Sequence, residues 1–186
     1  MANARFFNSD GYGQIELNNA AFLRDGRIAA QCAAASNFTT SAPLENGMLV
    51  VVDEAVGTVE LAATTETRPF GIVYSAEKIY DSYTPGLKNF KMTASDGFYP
   101  RVGYISVGDK FTTNCIAADD STYSDAAALI TALDSVPGTP LYGGYTTDLG
   151  AIAISTEAPT AGPVLAVIKK TTMPDGQIAV KFQVIG

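Results

Sequence analysis

The sequence predicts a mainly β protein: a compact antiparallel β-barrel or sandwich with one short helix and an extended N-terminal arm. Three observations carry that expectation. Of the 186 residues, 47% are hydrophobic and only 17% charged, enough apolar material to bury a core in a chain of this length. Gly, Pro, Thr, Ser and Ala recur throughout, which suits short strands and tight turns better than a long helical bundle. The apolar residues fall in strand-length runs between turn residues, and only one stretch carries a helical period.

Residues 1–23 read as the arm. Phe6, Phe7, Tyr12, Ile15, Leu17 and Phe22 stand among Asn, Gly and Asp, and only Gln14 to Leu17 alternates cleanly, so one short strand is expected there. Such a segment either folds back onto its own core or orders on a neighbouring subunit. Phe6, Phe7 and Tyr12 are the candidate interface residues.

Residues 24–186 read as a single β-rich domain. Asp25-Gly26 makes a turn, and Ile28, Ala30 and Cys32 alternate within a first strand over Arg27 to Ala34. Met48 to Asp53 and Thr58 to Ala62 flank the turn Glu54-Ala55-Val56-Gly57 as a β-hairpin. Pro69 to Tyr74 is a further strand, with proline at its first position where no ladder hydrogen bond is lost. Residues 75–97 show no clean period and read as an inserted loop.

Tyr99 to Val107 and Lys110 to Ile116 are expected to pair as a second hairpin around Gly108-Asp109. The helix is expected near 124–134. Ser124 can cap it, Asp125 suits its positive end, and Ala126, Ala127, Leu129, Ile130 and Leu133 form the apolar stripe before Pro137-Gly138. Ala151 to Ser155, Pro163 to Lys170 and Gln177 to Ile185 read as strands, the last two joined through Met173-Pro174-Asp175-Gly176. No fixed-period repeat is long enough for a solenoid or propeller.

Charge narrows the partners. A net charge of −7 repels a phosphate backbone, so nucleic acid is not expected as a partner. The adjacent Lys169 and Lys170 are expected on a solvated face. The longest apolar runs, such as Met48 to Val52, are strand-length and predict no membrane span. The first residues lack the apolar run of a secretory signal. Cys32 and Cys115 sit among small or apolar neighbours and are read as buried thiols, although spacing alone does not decide whether they pair.

Catalytic equipment is sparse. The chain holds no histidine, which removes the commonest general base and the commonest transition-metal ligand together. Gly11-Tyr12-Gly13 continues into Gln14-Ile15-Glu16 rather than a third glycine opening a helix, so it reads as a turn and not a phosphate loop. Asp53-Glu54 and Asp119-Asp120 lack the alternating ligand spacing of a calcium loop and read as turn carboxylates. No enzymatic activity, cofactor or metal is expected.

Three segments carry a family resemblance. Leu44-Glu45-Asn46-Gly47-Met48-Leu49-Val50-Val51-Val52-Asp53, Gly57-Thr58-Val59-Glu60-Leu61-Ala62 and Arg68-Pro69-Phe70-Gly71-Ile72-Val73 together resemble the head decoration proteins of tailed bacteriophages. Residues 101–116, opening Arg101-Val102-Gly103-Tyr104-Ile105-Ser106-Val107-Gly108-Asp109-Lys110-Phe111-Thr112, are similar to the later strand pair of such proteins. The resemblance implies a compact β domain on the capsid exterior, bound to the major capsid protein and often trimeric, made in the host bacterial cytoplasm and ending in the virion. Residues 75–97, the helix and the long C-terminal part depart from the smallest members. A head fibre base, a tail or baseplate component, and a carbohydrate-binding β domain are the rival readings.

Overall fold

A computed structural model describes residues 13–17, 20, 28–29, 32–77, 90–97, 99–117, 122–123, 125–147 and 150–186. Phe6, Phe7, Tyr12, Ser124, Asp119 and Asp120 lie outside the described residues. The fold is mainly β, with one short helix and two six-stranded sheets layered as a sandwich, neither closed into a barrel.

The first sheet has the order β1-β8-β6-β4-β5-β2. Its strands are β1 (Ile28–Ala29), β2 (Ala33–Ala34), β4 (Leu49–Asp53), β5 (Thr58–Glu60), β6 (Phe70–Val73) and β8 (Val102–Tyr104). The second has the order β10-β12-β11-β13-β14-β9. It contains β9 (Lys110–Thr113), β10 (Ile116–Ala117), β11 (Tyr142–Tyr145), β12 (Ile152–Ser155), β13 (Leu165–Thr172) and β14 (Ile178–Val184). A two-stranded pair joins β3 (Leu44–Glu45) to β7 (Lys91–Met92).

The unbroken apolar run of β4 follows from burial on both of its faces. Strand period two sends Leu49 and Val51, with Phe70 and Ile72 beside them, into the core between the sheets. There they meet Ile152, Ile154, Leu165, Val180 and Phe182. Val50 and Val52, with Val59, Val73 and Val102, turn to a second core that holds Cys32, Leu44, Phe90 and Met92. Each such side chain taken fully out of water contributes about 1.5–3 kcal/mol.

The first sheet is strongly curled. Its edge strands β1 and β2 are only four residue steps apart at Ala29 and Ala33, a reach of at most about 14 Å. A flat six-stranded sheet would separate its edges by about 24 Å. Curling makes the second core the concave side of this sheet.

The expected single strand from Arg27 to Ala34 is therefore corrected. Ile28–Ala29 pairs antiparallel with β8, while Ala33–Ala34 pairs parallel with β5 at the opposite edge. The alternation marked extended backbone without revealing that two edges share it. The expected hairpin around Gly108-Asp109 is corrected too, because β8 and β9 lie in different sheets. The turn is pinned to β14 instead: Gly108 N–H donates to the Val184 carbonyl at 2.8 Å, and Val184 N–H donates to the Asp109 carbonyl at 2.9 Å.

Residues 75–97 are not wholly an inserted loop. Ser75, Phe90 and Met92 are buried, and β7 pairs with β3, while residues 78–89 lie outside the described residues. The strand β11, with the sequence Tyr-Gly-Gly-Tyr, was not among the expected strands. Glycine is needed there for closeness: a Cβ at Gly143 would stand 2.7 Å from Ile152 Cγ2 and one at Gly144 3.0 Å from Pro159.

Helix α1 (Ala126–Asp134) buries Leu129 and Leu133 in the core between the sheets. Its N-cap is Asp125, whose Oδ1 accepts the Ala128 N–H at 2.8 Å, rather than Ser124. The helix stops at Ser135, short of Pro137-Gly138.

Candidate functional site

Two charged regions stand out on the exterior, and a buried polar knot accompanies them. The first region is the outer face of β13, β14 and β9. With Val180 and Phe182 facing the core, the alternating Lys181 and Gln183 face outward. The register places Lys181 directly opposite both Lys169 and Thr112, and Gln183 opposite Lys110. Lys110, Lys169 and Lys181 thus share one face, and none of them has an ion-pair partner among the described residues.

A cavity of about 440 Å³ opens on this face, lined by Lys169, Lys181, Thr112, Thr171, Thr172 and Glu16 among others. Thr112 is only 2% exposed, and its hydroxyl finds no hydrogen-bond partner. Glu16 is the acidic residue at the rim, held there by its N–H bond to the Thr112 carbonyl at 2.9 Å. The adjacent Lys170 belongs elsewhere: a bulge between Val167 and Lys169 precedes it, and its Nζ pairs with Asp134 of the helix. The expected common face for Lys169 and Lys170 therefore divides.

The second region surrounds Arg68, at the end of the β4–β5 hairpin in the other sheet. Its guanidinium is bidentate to Glu66, with Nε to Oε1 at 3.0 Å and a second nitrogen to Oε2 at 2.8 Å. The same group reaches Glu60 at 3.1 Å and Asp53 at 3.9 Å. This fork raises the guanidinium and, through the side-chain hydrogen bond foremost, holds the Glu66 carboxyl down to about 2. Beside it Glu54 accepts the Tyr104 hydroxyl at 2.7 Å. Three carboxylates against one guanidinium leave this corner formally negative by two, and Glu54 in the adjoining turn adds a further negative charge.

Asp53 is indeed a turn carboxylate, its Oδ1 accepting the N–H groups of Ala55 and Val56 at 3.0 Å each. At the tip of that turn Val56 is 71% exposed.

The polar knot ties the N-terminal segment to the body. Thr113 Oγ1 donates to the Gln14 carbonyl at 2.5 Å, Gln14 N–H donates to Asn114 Oδ1 at 2.6 Å, and Gly13 N–H donates to Glu45 Oε2 at 2.8 Å. Asn46 donates through Nδ2 to the Ser75 carbonyl at 2.9 Å and accepts the Ser75 N–H at 2.8 Å. Glu45 and Asn46 are each 2% exposed. Gly47 passes through the knot at φ +82°, where a Cβ would stand 2.0 Å from Thr113 Oγ1. Residues 14–16 thereby lie along the outer edge of β9, with Ile15 bridged to Thr113 and buried in the core. This part of the expected arm folds back onto its own core.

A cavity of about 430 Å³ beside the knot is lined by Gln14, Glu16, Asn46, Glu77 and Asp175 among others. Burial pushes the Glu77 carboxyl up, the Asn46 hydrogen bond opposes that, and the charge of Asp175 adds to it. For Asp175 burial also pushes upward, but hydrogen bonds from Gln177 and Gln14 outweigh it and leave the carboxyl lowered.

Cys32 and Cys115 are both free and buried. Burial, with the nearby charges of Glu54 and Asp53, raises the Cys32 thiol and keeps it a poor nucleophile. Among the described residues no group of three or more acidic or cysteine side chains is placed to hold a metal ion.

Sequence reasoning did not find the lysine face. Each lysine was legible as an outward residue of its own strand, but the β13-β14-β9 order that aligns them is a tertiary fact. Compared with known proteins, the chain matches no family model, no curated protein and no solved structure.

Proposed function

We propose that this chain is a virion structural protein that binds the exterior of a phage capsid and stabilises the shell through protein–protein contacts. The partner on this reading is the major capsid protein, and the chain contributes contact area rather than chemistry. One observation carries it: most of the residues that resemble head decoration proteins lie together, while the later ones from Lys110 onward form β9 in the other sheet. Residues 44–53, 57–62, 68–73 and 101–104 supply β3, β4, β5, β6 and β8, the last four being consecutive neighbours in one sheet.

Two further features support the reading. The sheet edges are blunted, since β1, β2 and β10 are two residues long and residues 14–16 cover β9, a construction that suppresses uncontrolled edge pairing in a protein present in many copies. Each face of the first sheet packs on a buried apolar core, which suits a rigid spacer.

Electron microscopy of the assembled particle tests the proposal. Density for this chain on the outside of the shell is the expected result. Density confined to a tail, baseplate or fibre would place it in another virion part, and absence from the particle would overturn the proposal. Deleting residues 1–12, which hold Phe6, Phe7 and Tyr12, is expected to weaken binding to undecorated capsids. Unchanged binding would remove those residues from the interface.

A further inference from the structure

The geometry points to a head-to-tail contact between copies of this chain, in which the Lys110, Lys169 and Lys181 face of one copy receives the Asp53, Glu54 and Glu60 corner of the next. The inference goes beyond docking on a capsid and holds whether or not a capsid is the partner.

The lysine face is unusual in its own sheet. Like charges directly opposite on neighbouring strands repel, because their Cβ atoms stand only about 5 Å apart. Lys169 and Lys181 are such a pair, and no carboxylate among the described residues is paired with either. An isolated subunit has no use for this arrangement, and departures from local rules that nothing internal compensates are expected where a function needs them.

The complementary surface is present on the same molecule. The chain is acidic overall at −7, and Asp53, Glu60 and Glu66 around Arg68 hold two of that excess, with Glu54 following Asp53 in the adjoining turn. Three lysines without an ion-pair partner among the described residues, with Glu16 at the rim of their cavity, thus lie on one sheet and the acidic cluster on the other. Glu54 and the exposed Val56 stand at the tip of the β4–β5 turn, a protrusion able to enter the 440 Å³ cavity. Because the two surfaces are different patches, copies joined head to tail through them form a ring where the rotation closes and a chain where it does not. Complementary potentials of this kind set register and partner choice.

Sedimentation of the purified full chain, without capsids, over a concentration series at low and high salt tests it. The wild type is expected to self-associate, more weakly as salt rises. The double substitution Lys169→Glu with Lys181→Glu leaves both surfaces acidic, and Glu54→Lys with Glu60→Lys leaves both basic. Each is expected to weaken association about tenfold or more, and mixing the two to restore it, because each variant then matches the other. Should either lose its fold, Lys169→Gln with Lys181→Gln gives the same readout in milder form.

A wild type that stays monomeric at every concentration overturns the inference. So does association untouched by both double substitutions, or two folded variants that fail to recover on mixing. A monomer that instead binds duplex DNA or anionic vesicles through these lysines also overturns it. Capsid binding is measured separately, so the two proposals fail independently.

Discussion

The polar knot and the lysine face are both built from polar side chains and are treated in opposite ways. In the knot, Asn46, Gln14, Thr113, Asn114 and Glu45 are withdrawn from water, and each is met by a partner inside the chain. Burial forces that outcome, since a polar group left unpaired in a low dielectric costs about 1–3 kcal/mol. On the lysine face, Lys169 and Lys181 remain near water and stand opposite each other with no ion-pair partner among the described residues. The comparison separates polar residues that serve the fold from polar residues left over by it. The leftover ones are where an external partner is sought.

The comparison breaks most visibly at Gly47. A side chain there meets Thr113 Oγ1 at 2.0 Å and must adopt φ +82°, so Gly47→Ala is expected to lose about 3 kcal/mol or more through strain and overpacking together. Thermal or denaturant unfolding reads this directly, and a loss below about 1 kcal/mol would show that the knot yields easily. Asn46→Ala comes next. It strands the Ser75 N–H and carbonyl in a buried setting, for an expected loss of about 2–4 kcal/mol. Neither substitution is expected to change self-association per folded molecule.

The legibility of these regions in the sequence differed for physical reasons. Elements defined by local period were readable: the β4–β5 hairpin, β6, β12, the β13–β14 hairpin and the helix all occur where alternation or a helical stripe places them. What failed was pairing. Residues 27–34 alternate smoothly yet serve two opposite edges, and the turn at Gly108-Asp109 joins two sheets instead of two neighbours. Local chemistry specifies extended backbone and a positive φ but does not choose the partner strand. The lysine face depends wholly on that choice, as does the knot, which joins residues about a hundred positions apart such as Gln14 and Asn114.

The Arg68 corner lies between the two extremes, with charges exposed like the lysines but partnered like the knot. The Glu66 carboxyl is lowered from 4.5 to about 2, first through its side-chain hydrogen bond to Arg68. A carboxyl lowered by folding contributes stability that is complete above its unfolded value and is lost as pH falls through the folded one. The contribution is therefore full above about pH 4.5 and disappears towards pH 2. With the Arg68 side chain 34% exposed, screening reduces it to about 1 kcal/mol. Glu66→Gln is expected to flatten the acid limb of the stability profile across that window. An unchanged limb would mean that solvent already screens the pair completely.

The smallest effect sharpens the comparison most. Lys169→Glu places a carboxylate directly opposite Lys181 and turns a repelling cross-strand pair into an attracting one. The subunit itself is expected to gain about 0.2–1 kcal/mol, with the gain shrinking as salt rises. A residue kept only for the fold would not be improved by reversing its charge, so stabilisation with weakened self-association is the signature of a surface held ready for another molecule. If Lys169→Glu instead destabilises the isolated subunit, the lysine pair is satisfied within the chain, and the distinction between the knot and this face collapses.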